Sequence, residues 1–317
     1  MATPLSELLI SVRAAVRAAS ALCLAVGDPE RLEKRGQEPV TLADYGSQAI
    51  IVRAAALGFP EDRVVAEEGS AHLLEAAGAA GVAEIVDLVN AALGEQCSAA
   101  DVVRWIDHRG GAGSRTWAVD PIDGTKGFLR GDQFAVAVGI VEEGVPVGGV
   151  LGCPRFVVGE HTGVMLWGGP GIGAFIEPLA GGSPQPVAVS GITGPDAARV
   201  LGSVEAAHGD PALVRRVIDR AGLGGGWVRL DSQVKYAAVA AGLAEIYIRP
   251  RSREDWRERI WDHAAGAAIV EGAGGRVTDL DGELLDFTAG PTLENNRGVL
   301  VTNGAVHDLV LGALTSD

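Results

Sequence analysis

The residues best suited to chemistry stand in the run Asp120-Pro121-Ile122-Asp123-Gly124-Thr125, directly after the strand-like Trp117-Ala118-Val119. Proline fixes φ and removes a backbone donor, so a turn here aims two carboxylates and the Ile122 carbonyl toward one point. Three hard oxygen donors suit Mg²⁺, which retains some water and shares the rest of its shell with substrate phosphate. Gly124-Thr125 then begins a new helical turn, whose N–H groups and hydroxyl suit a phosphate oxygen. Taken singly these parts are ambiguous. An isolated D-x-x-D is mostly a solvated turn, Glu67-Glu68 alone reads as a solvated acidic face, and Asp262 reads equally as an N-cap or as a ligand. The spacing of three with Pro121 between also differs from D-x-D-G-T, where the first aspartate is a nucleophile. It therefore favours metal-activated water over a covalent aspartyl intermediate.

Lysine usage adds a second signal. Of 26 basic residues only Lys34, Lys126 and Lys235 are lysine. Lys126 directly follows the acidic turn, and Lys235 lies three residues after Ser232, on one face of an expected helix. A compact ammonium suits a phosphate where a wide guanidinium does not fit. Arg249 ends the Ile246-Tyr247-Ile248 strand and could meet the same anion, whereas Arg251, Arg253, Arg257 and Arg259 read as an ordinary charged loop.

The elements that must position these groups follow from spacing. Leu5, Leu8, Leu9, Val12, Val16 and Cys23 recur at three- and four-residue steps and predict an opening helix to about Val26. A second helix is expected from near Asp44 to Gly58, then a strand at Arg63–Ala66. Residues 71–104 read as one or two helices, and the glycine-rich 108–114 stretch reads as a mobile loop. Strands are expected at Phe134–Val141, Val145–Leu151 and Phe156–Val158, with turns at Glu143-Gly144 and Cys153-Pro154. Gly181-Gly182-Ser183-Pro184 marks the boundary between an N-terminal lobe, 1–183, and a C-terminal lobe, 184–317, with a fresh strand at Pro186–Val189. In the second half, strands (Arg199–Val204, Ala244–Ile248, Arg276–Thr278, Gly298–Thr302) alternate with helices (Pro211–Ala221, Ser232–Ala241, His263–Glu271, Ala305–Leu314). That order predicts a mixed or parallel sheet covered by helices.

Composition bounds the rest. The chain has 317 residues, 47% hydrophobic and 21% charged, which excludes a disordered tail or coiled coil. A formal net charge of −15 argues against nucleic acid or anionic lipid as partner, so an anionic substrate must meet local positive charge. Cys23, Cys97 and Cys153 form no C-x-x-C pair, which fits a reducing cytoplasm. No stretch reads as a membrane span, and Glu7, Arg13 and Arg17 interrupt any signal-peptide core, so a soluble, unprocessed protein is expected.

At these residues the sequence resembles the lithium-sensitive, magnesium-dependent phosphatase superfamily that includes inositol monophosphatase, fructose-1,6-bisphosphatase and the 3'(2'),5'-bisphosphate nucleotidases. The resemblance to the nucleotidase branch runs in order through Pro39–Gln48, Glu67-Glu68-Gly69-Ser70, Trp117–Gly131, Gly152-Cys153-Pro154, Leu230–Tyr236 and Ile260–Gly266. It implies a layered α/β/α/β/α sandwich with the site between two lobes. It further implies metal ligands Glu67, Asp120, the Ile122 carbonyl, Asp123 and Asp262, holding roughly two to three Mg²⁺ ions per active site. Asp44 and Thr125 would hold and deprotonate the attacking water. Lys126, His208, Ser232, Lys235 and Arg249 would bind the substrate, a small phosphorylated nucleotide such as adenosine 3',5'-bisphosphate, and the protein would be a monomer or homodimer. Alternatives are an inositol mono- or polyphosphate 1-phosphatase and a catalytically silent phosphonucleotide sensor. Ala66 before Glu67, and the long alanine-rich 71–116 segment, depart from the family pattern.

Overall fold

The structure is a computed structural model that describes residues 3–26, 32–33, 39–204, 210–251, 253 and 255–315. Its N-terminal half runs α1 (Leu5–Ala25), β1 (Leu32–Glu33), β2 (Pro39–Val40), α2 (Leu42–Gly58), β3 (Arg63–Ala66), α3 (Ser70–Ala76), α4 (Gly78–Leu93) and α5 (Ala99–Ile106). It continues through β4 (Arg115–Asp123), α6 (Thr125–Arg130), β5 (Ala135–Glu142), β6 (Val145–Val158), β7 (His161–Gly169), β8 (Gly173–Pro178) and β9 (Gln185–Val187). The remainder is β10 (Val200–Gly202), α7 (Pro211–Ala221), β11 (Trp227–Arg229), α8 (Val234–Ala240), β12 (Ile246–Arg249), α9 (Ala264–Gly272), β13 (Arg276–Thr278), β14 (Val299–Thr302) and α10 (His307–Thr315). Strands β3 to β9 form a seven-stranded sheet in chain order, and a five-stranded sheet has the order β11-β10-β12-β14-β13.

Period-two alternation explains the layering. Along β4 and β5, Trp117, Val119, Val136, Val138 and Ile140 join the core shared with α1 and α2. Their neighbours Ala118, Ala135, Ala137 and Val141 join a second core with α8 and α9. Small residues on that second face admit α9 closely. A side chain at Gly139 would meet Ala264 Cβ at 2.5 Å, and one at Gly149 would meet Ala265 O at 2.3 Å. The other side of α8 and α9 covers the five-stranded sheet, whose outer face carries a third core with α7 and α10. Three cores, the second lying on both faces of the middle helices, therefore join five layers, helix, sheet, helix, sheet, helix, as the resemblance implied.

Several expectations need correction. The 71–104 segment holds parts of three helices, broken near Ala77 and by the left-handed Gly94. The 108–114 loop is tied down: Gly111 N donates to Asp62 O at 3.0 Å and Gly113 N to Glu61 O at 2.8 Å. Cys153-Pro154 is no turn but an irregularity inside the single long strand β6. Strands β7, β8 and β11 fall where the sequence pattern predicts none. The strand expected to open the second lobe, β9, pairs with β8, so the first sheet extends past residue 183. Helix α1, with 21 residues, is long and apolar enough to cross a membrane, with mean hydropathy 1.7 over an 18-residue window, but half of that window is buried in the fold. There it behaves as a core helix, and Arg13 pairs with Glu177 at 2.6 Å.

Candidate active site

Helix α2 organises the site through residues one turn apart. Asp44, Ser47 and Gln48, at i, i+3 and i+4, share one face, and all three are buried. Ser47 Oγ donates to the Pro121 carbonyl at 2.8 Å, which fixes the acidic turn against the helix. Gln48 brackets the Glu67-Glu68 segment: its Oε1 accepts from Glu68 N at 2.9 Å and its Nε2 donates to Glu68 O at 2.8 Å. Asp44 Oδ2 accepts from both the backbone and the hydroxyl of Thr41 at 2.7 Å, a capping arrangement at the start of α2. Its Oδ1 lies 3.4 Å from Thr125 Oγ1, which also lies 3.1 Å from the Ile122 carbonyl.

The acidic run is a bulge within β4 rather than a turn after it. Asp120 opposes Ala137 and Asp123 opposes Ala135, so three steps on β4 match two on β5. Pro121, which has no N–H to give the ladder, stands where the register breaks. The bulge turns the Asp120 and Asp123 side chains toward the seam between the sheets.

Electrostatics shows how crowded that seam is. Asp120 is 3% exposed, and burial lifts its carboxyl well above the usual range; Glu67, Asp123, Asp262 and Asp44 lift it further. Its Oδ1 accepts no hydrogen bond among the described residues. Burial also raises Asp123, countered by Lys235 and Arg249 and by the Gln233 N–H, which donates to Asp123 Oδ2 at 2.7 Å. Burial pushes Asp262 up to about 6 despite Arg249. A buried group of like charges with an unsatisfied oxygen is costly unless cations join it. The donor set of carboxylates and a carbonyl suits a hard divalent ion such as Mg²⁺.

The second half closes the site. Gln233 is the clasp: besides Asp123 it bonds Trp261 O at 2.9 Å and Gly266 N at 3.1 Å, tying the 232–235 segment to the turn that carries Asp262. Asp262 ends a short 3₁₀ turn, Ile260–Asp262, and His263 precedes α9, so Asp262 is not the N-cap of that helix. Ser232 likewise precedes α8 instead of sharing a helical face with Lys235. It holds φ at 59°, a left-handed conformation uncommon for serine, opposite Gly124, where an added side chain would meet Ser232 Cβ at 3.0 Å. Lys235 is 3% exposed, donates to Leu230 O at 3.3 Å and lies over the Tyr247 ring, and burial lowers its pKa to about 8. Arg249 lies between two carboxylates, with Nε 2.8 Å from Glu258 Oε2 and Nη2 3.1 Å from Asp262 Oδ2.

Lys126 stands in the first turn of α6, half-buried beside the acidic bulge. His208 and Lys34 lie outside the described residues. Glu258, Asp262 and His263 present ligand atoms within 4.8 Å of one another, yet Arg249 already fills the space between two of them and Tyr236 hydroxyl bonds His263 Nδ1 at 2.7 Å. That trio is an internally neutralised network. Sequence reasoning assigned no role to Ser47, Gln48, Gln233 or Glu258. The i, i+3, i+4 spacing from Asp44 pointed to the first two, whereas nothing local pointed to Glu258.

Comparisons with known proteins bear on the family and the fold. Residues 5–316 match the inositol monophosphatase family. The chain is 37% identical to the 3'(2'),5'-bisphosphate nucleotidase of Emericella nidulans, covering 89% of each chain. It is 36% identical to the 3'(2'),5'-bisphosphate nucleotidase of Oryza sativa, covering 98% of this chain and 94% of that one. Among solved structures, the inositol monophosphatase of Thermotoga maritima superposes with a TM-score of 0.67 at 23% identity, over 98% of this chain and 97% of that one. The suhB protein of Bartonella henselae gives 0.69 at 19% identity, over 98% and 99%. Shared layers across the whole molecule, and relatives above one third identity along nearly all of it, make this chain a member of the inositol monophosphatase family.

Proposed function

We propose that the protein hydrolyses the 3'-phosphate of adenosine 3',5'-bisphosphate, releasing AMP and phosphate. The observation that carries this reading is the buried Asp120, its Oδ1 unsatisfied among the described residues and its carboxyl raised by burial and by four other carboxylates, together with two cations, Lys235 and Arg249, that face the neighbouring Asp123. Names shared by the relatives add to it.

Glu67, Asp120, the Ile122 carbonyl, Asp123 and Asp262 would hold magnesium, about two to three ions. When bound, the metal supplies the charge that neutralises the scissile phosphate and lowers the pKa of water. Thr125 Oγ1 and Asp44 Oδ1 lie 3.4 Å apart and orient the attacking water, and Asp44 takes its proton. Thr41 holds the other Asp44 oxygen, so the accepting oxygen keeps its direction. Lys126 adds positive charge beside the scissile group. Ser232, Lys235 and Arg249 grip the phosphate that is retained. A bound dianion raises Lys235 from its depressed value, so the ammonium is secured by the substrate it binds.

The test is turnover, with Mg²⁺, of adenosine 3',5'-bisphosphate against inositol 1-phosphate and fructose 1,6-bisphosphate. Higher kcat/KM for the nucleotide is expected, and a preference for either sugar phosphate overturns the assignment.

A further inference from the structure

The reading above gives Arg249 a substrate, but an arginine on the end of a strand is a flexible donor unless something fixes it. Glu258 does so. Its carboxylate is 3% exposed and meets Arg249 Nε at 2.8 Å; against burial, which raises it, the pull of Arg249 and the hydrogen bond with His263 hold its pKa down to about 2. The same carboxylate lies 3.3 Å from His263 Nε2, and the far side of that imidazole meets the Tyr236 hydroxyl at 2.7 Å. Tyr236 and His263 are 1% and 0% exposed and stand at the facing ends of α8 and α9. The chain Tyr236–His263–Glu258–Arg249 thus runs from the buried helix layer to the guanidinium, and every link is a side-chain contact.

We propose that Glu258 is a positioning residue for recognition of the substrate's second phosphate: it fixes the Nε edge of Arg249 so that the guanidinium fork keeps one orientation beside Lys235. This rests on the assignment of Arg249 to the retained phosphate. A planar fork held at its Nε edge loses less freedom when its remaining N–H donors bind an anion, so anchoring strengthens binding without a new contact.

The competing electrostatic account has the opposite sign. Glu258 is a negative charge near an anion pocket, and through charge alone its removal should tighten phosphate binding. The two accounts therefore separate on direction. The readout is the advantage given by the second phosphate, taken as the KM of adenosine 3'-monophosphate divided by that of adenosine 3',5'-bisphosphate. Calorimetric affinity for AMP, the product that keeps the 5'-phosphate, provides a measurement independent of turnover.

Positioning predicts that Glu258→Ala lowers the ratio and the AMP affinity roughly 10-fold or more, that Glu258→Gln recovers part of both, and that kcat changes less than KM. An unchanged or increased ratio in Glu258→Ala, or equal ratios in the Ala and Gln variants, overturns the proposal. If Glu258→Ala does not fold, the Gln variant and Glu258→Asp decide the sign. Arg249→Ala separates the two readings. Loss of the ratio there with none in the Glu258 variants rejects the anchor alone, whereas retention of the ratio in Arg249→Ala rejects the assignment on which it rests.

Discussion

Asp120 and Asp279 are 3% and 2% exposed, and the fold treats them oppositely. Asp279 is enclosed by donors: Oδ1 accepts from Asp281 N at 2.9 Å and Glu283 N at 3.0 Å, and Oδ2 from Arg297 N at 3.2 Å and Asn296 Nδ2 at 3.3 Å. Asp120 has an oxygen with no donor and like charges around it. The first is a carboxylate the protein satisfies for its own folding, and the second is left unsatisfied among other carboxylates. Burial alone does not mark a functional acid; its partners do.

The largest expected effect comes from removing that frustration. Asp120→Asn should lower kcat by roughly 10³-fold or more, because a ligand charge is lost where phosphate charge must be neutralised. In chelator the same variant should melt no lower than the parent, since the repulsion it removes opposes folding. Steady-state kinetics and thermal melts check both halves, and near-normal turnover would refute the metal role. Asp279→Ala should do the reverse. It leaves three backbone N–H groups without their acceptor and should cost about 3 kcal/mol in urea denaturation, with kcat per folded molecule unchanged.

A smaller effect appears with pH. Asp120, Asp123 and Asp262 have folded pKa values above their unfolded ones, so their contribution to stability is present below about 3.8 and lost as pH rises, for Asp262 through about 6. Buried His307 works the other way. Burial lowers it to about 4, so its contribution is complete above its ordinary 6.5 and is lost as pH falls toward 4. Between pH ~4 and ~6 the three raised carboxylates outweigh the one histidine. Chelated protein should then melt lower at the higher pH, and added Mg²⁺ should raise the melting temperature more there. A Mg²⁺ increment independent of pH would contradict the picture. The smallest effect belongs to an exposed carboxylate: Asp308, 87% exposed and 2.7 Å from Arg276, should give almost no shift in the denaturation midpoint when changed to Asn.

Much of this was legible in the sequence because it is local. Apolar residues at three- and four-residue steps gave α1, and the α7 bounds Pro211–Ala221 follow from a proline start and a glycine stop. Pro121 between two aspartates announced an interruption of the backbone, although it proved to be a bulge within β4 rather than a turn. The misreadings lie where context overrides local signals. Cys153-Pro154 looks like a turn but rides inside β6, and the three-residue strand β11 is too short to show a period.

The residue types and spacings alone determined that hard oxygen donors and two isolated lysines exist in segments fit for phosphate chemistry, and periodicity determined most of the helices. Only the tertiary structure decided that Asp120 has an oxygen unsatisfied among the described residues while Asp279 is saturated, that Gln233 joins two segments, and that Glu258 meets Arg249. Each of these depends on contacts between residues far apart in the chain. Hydrogen-bond satisfaction and desolvation are properties of the folded surroundings, which no local stretch of sequence contains.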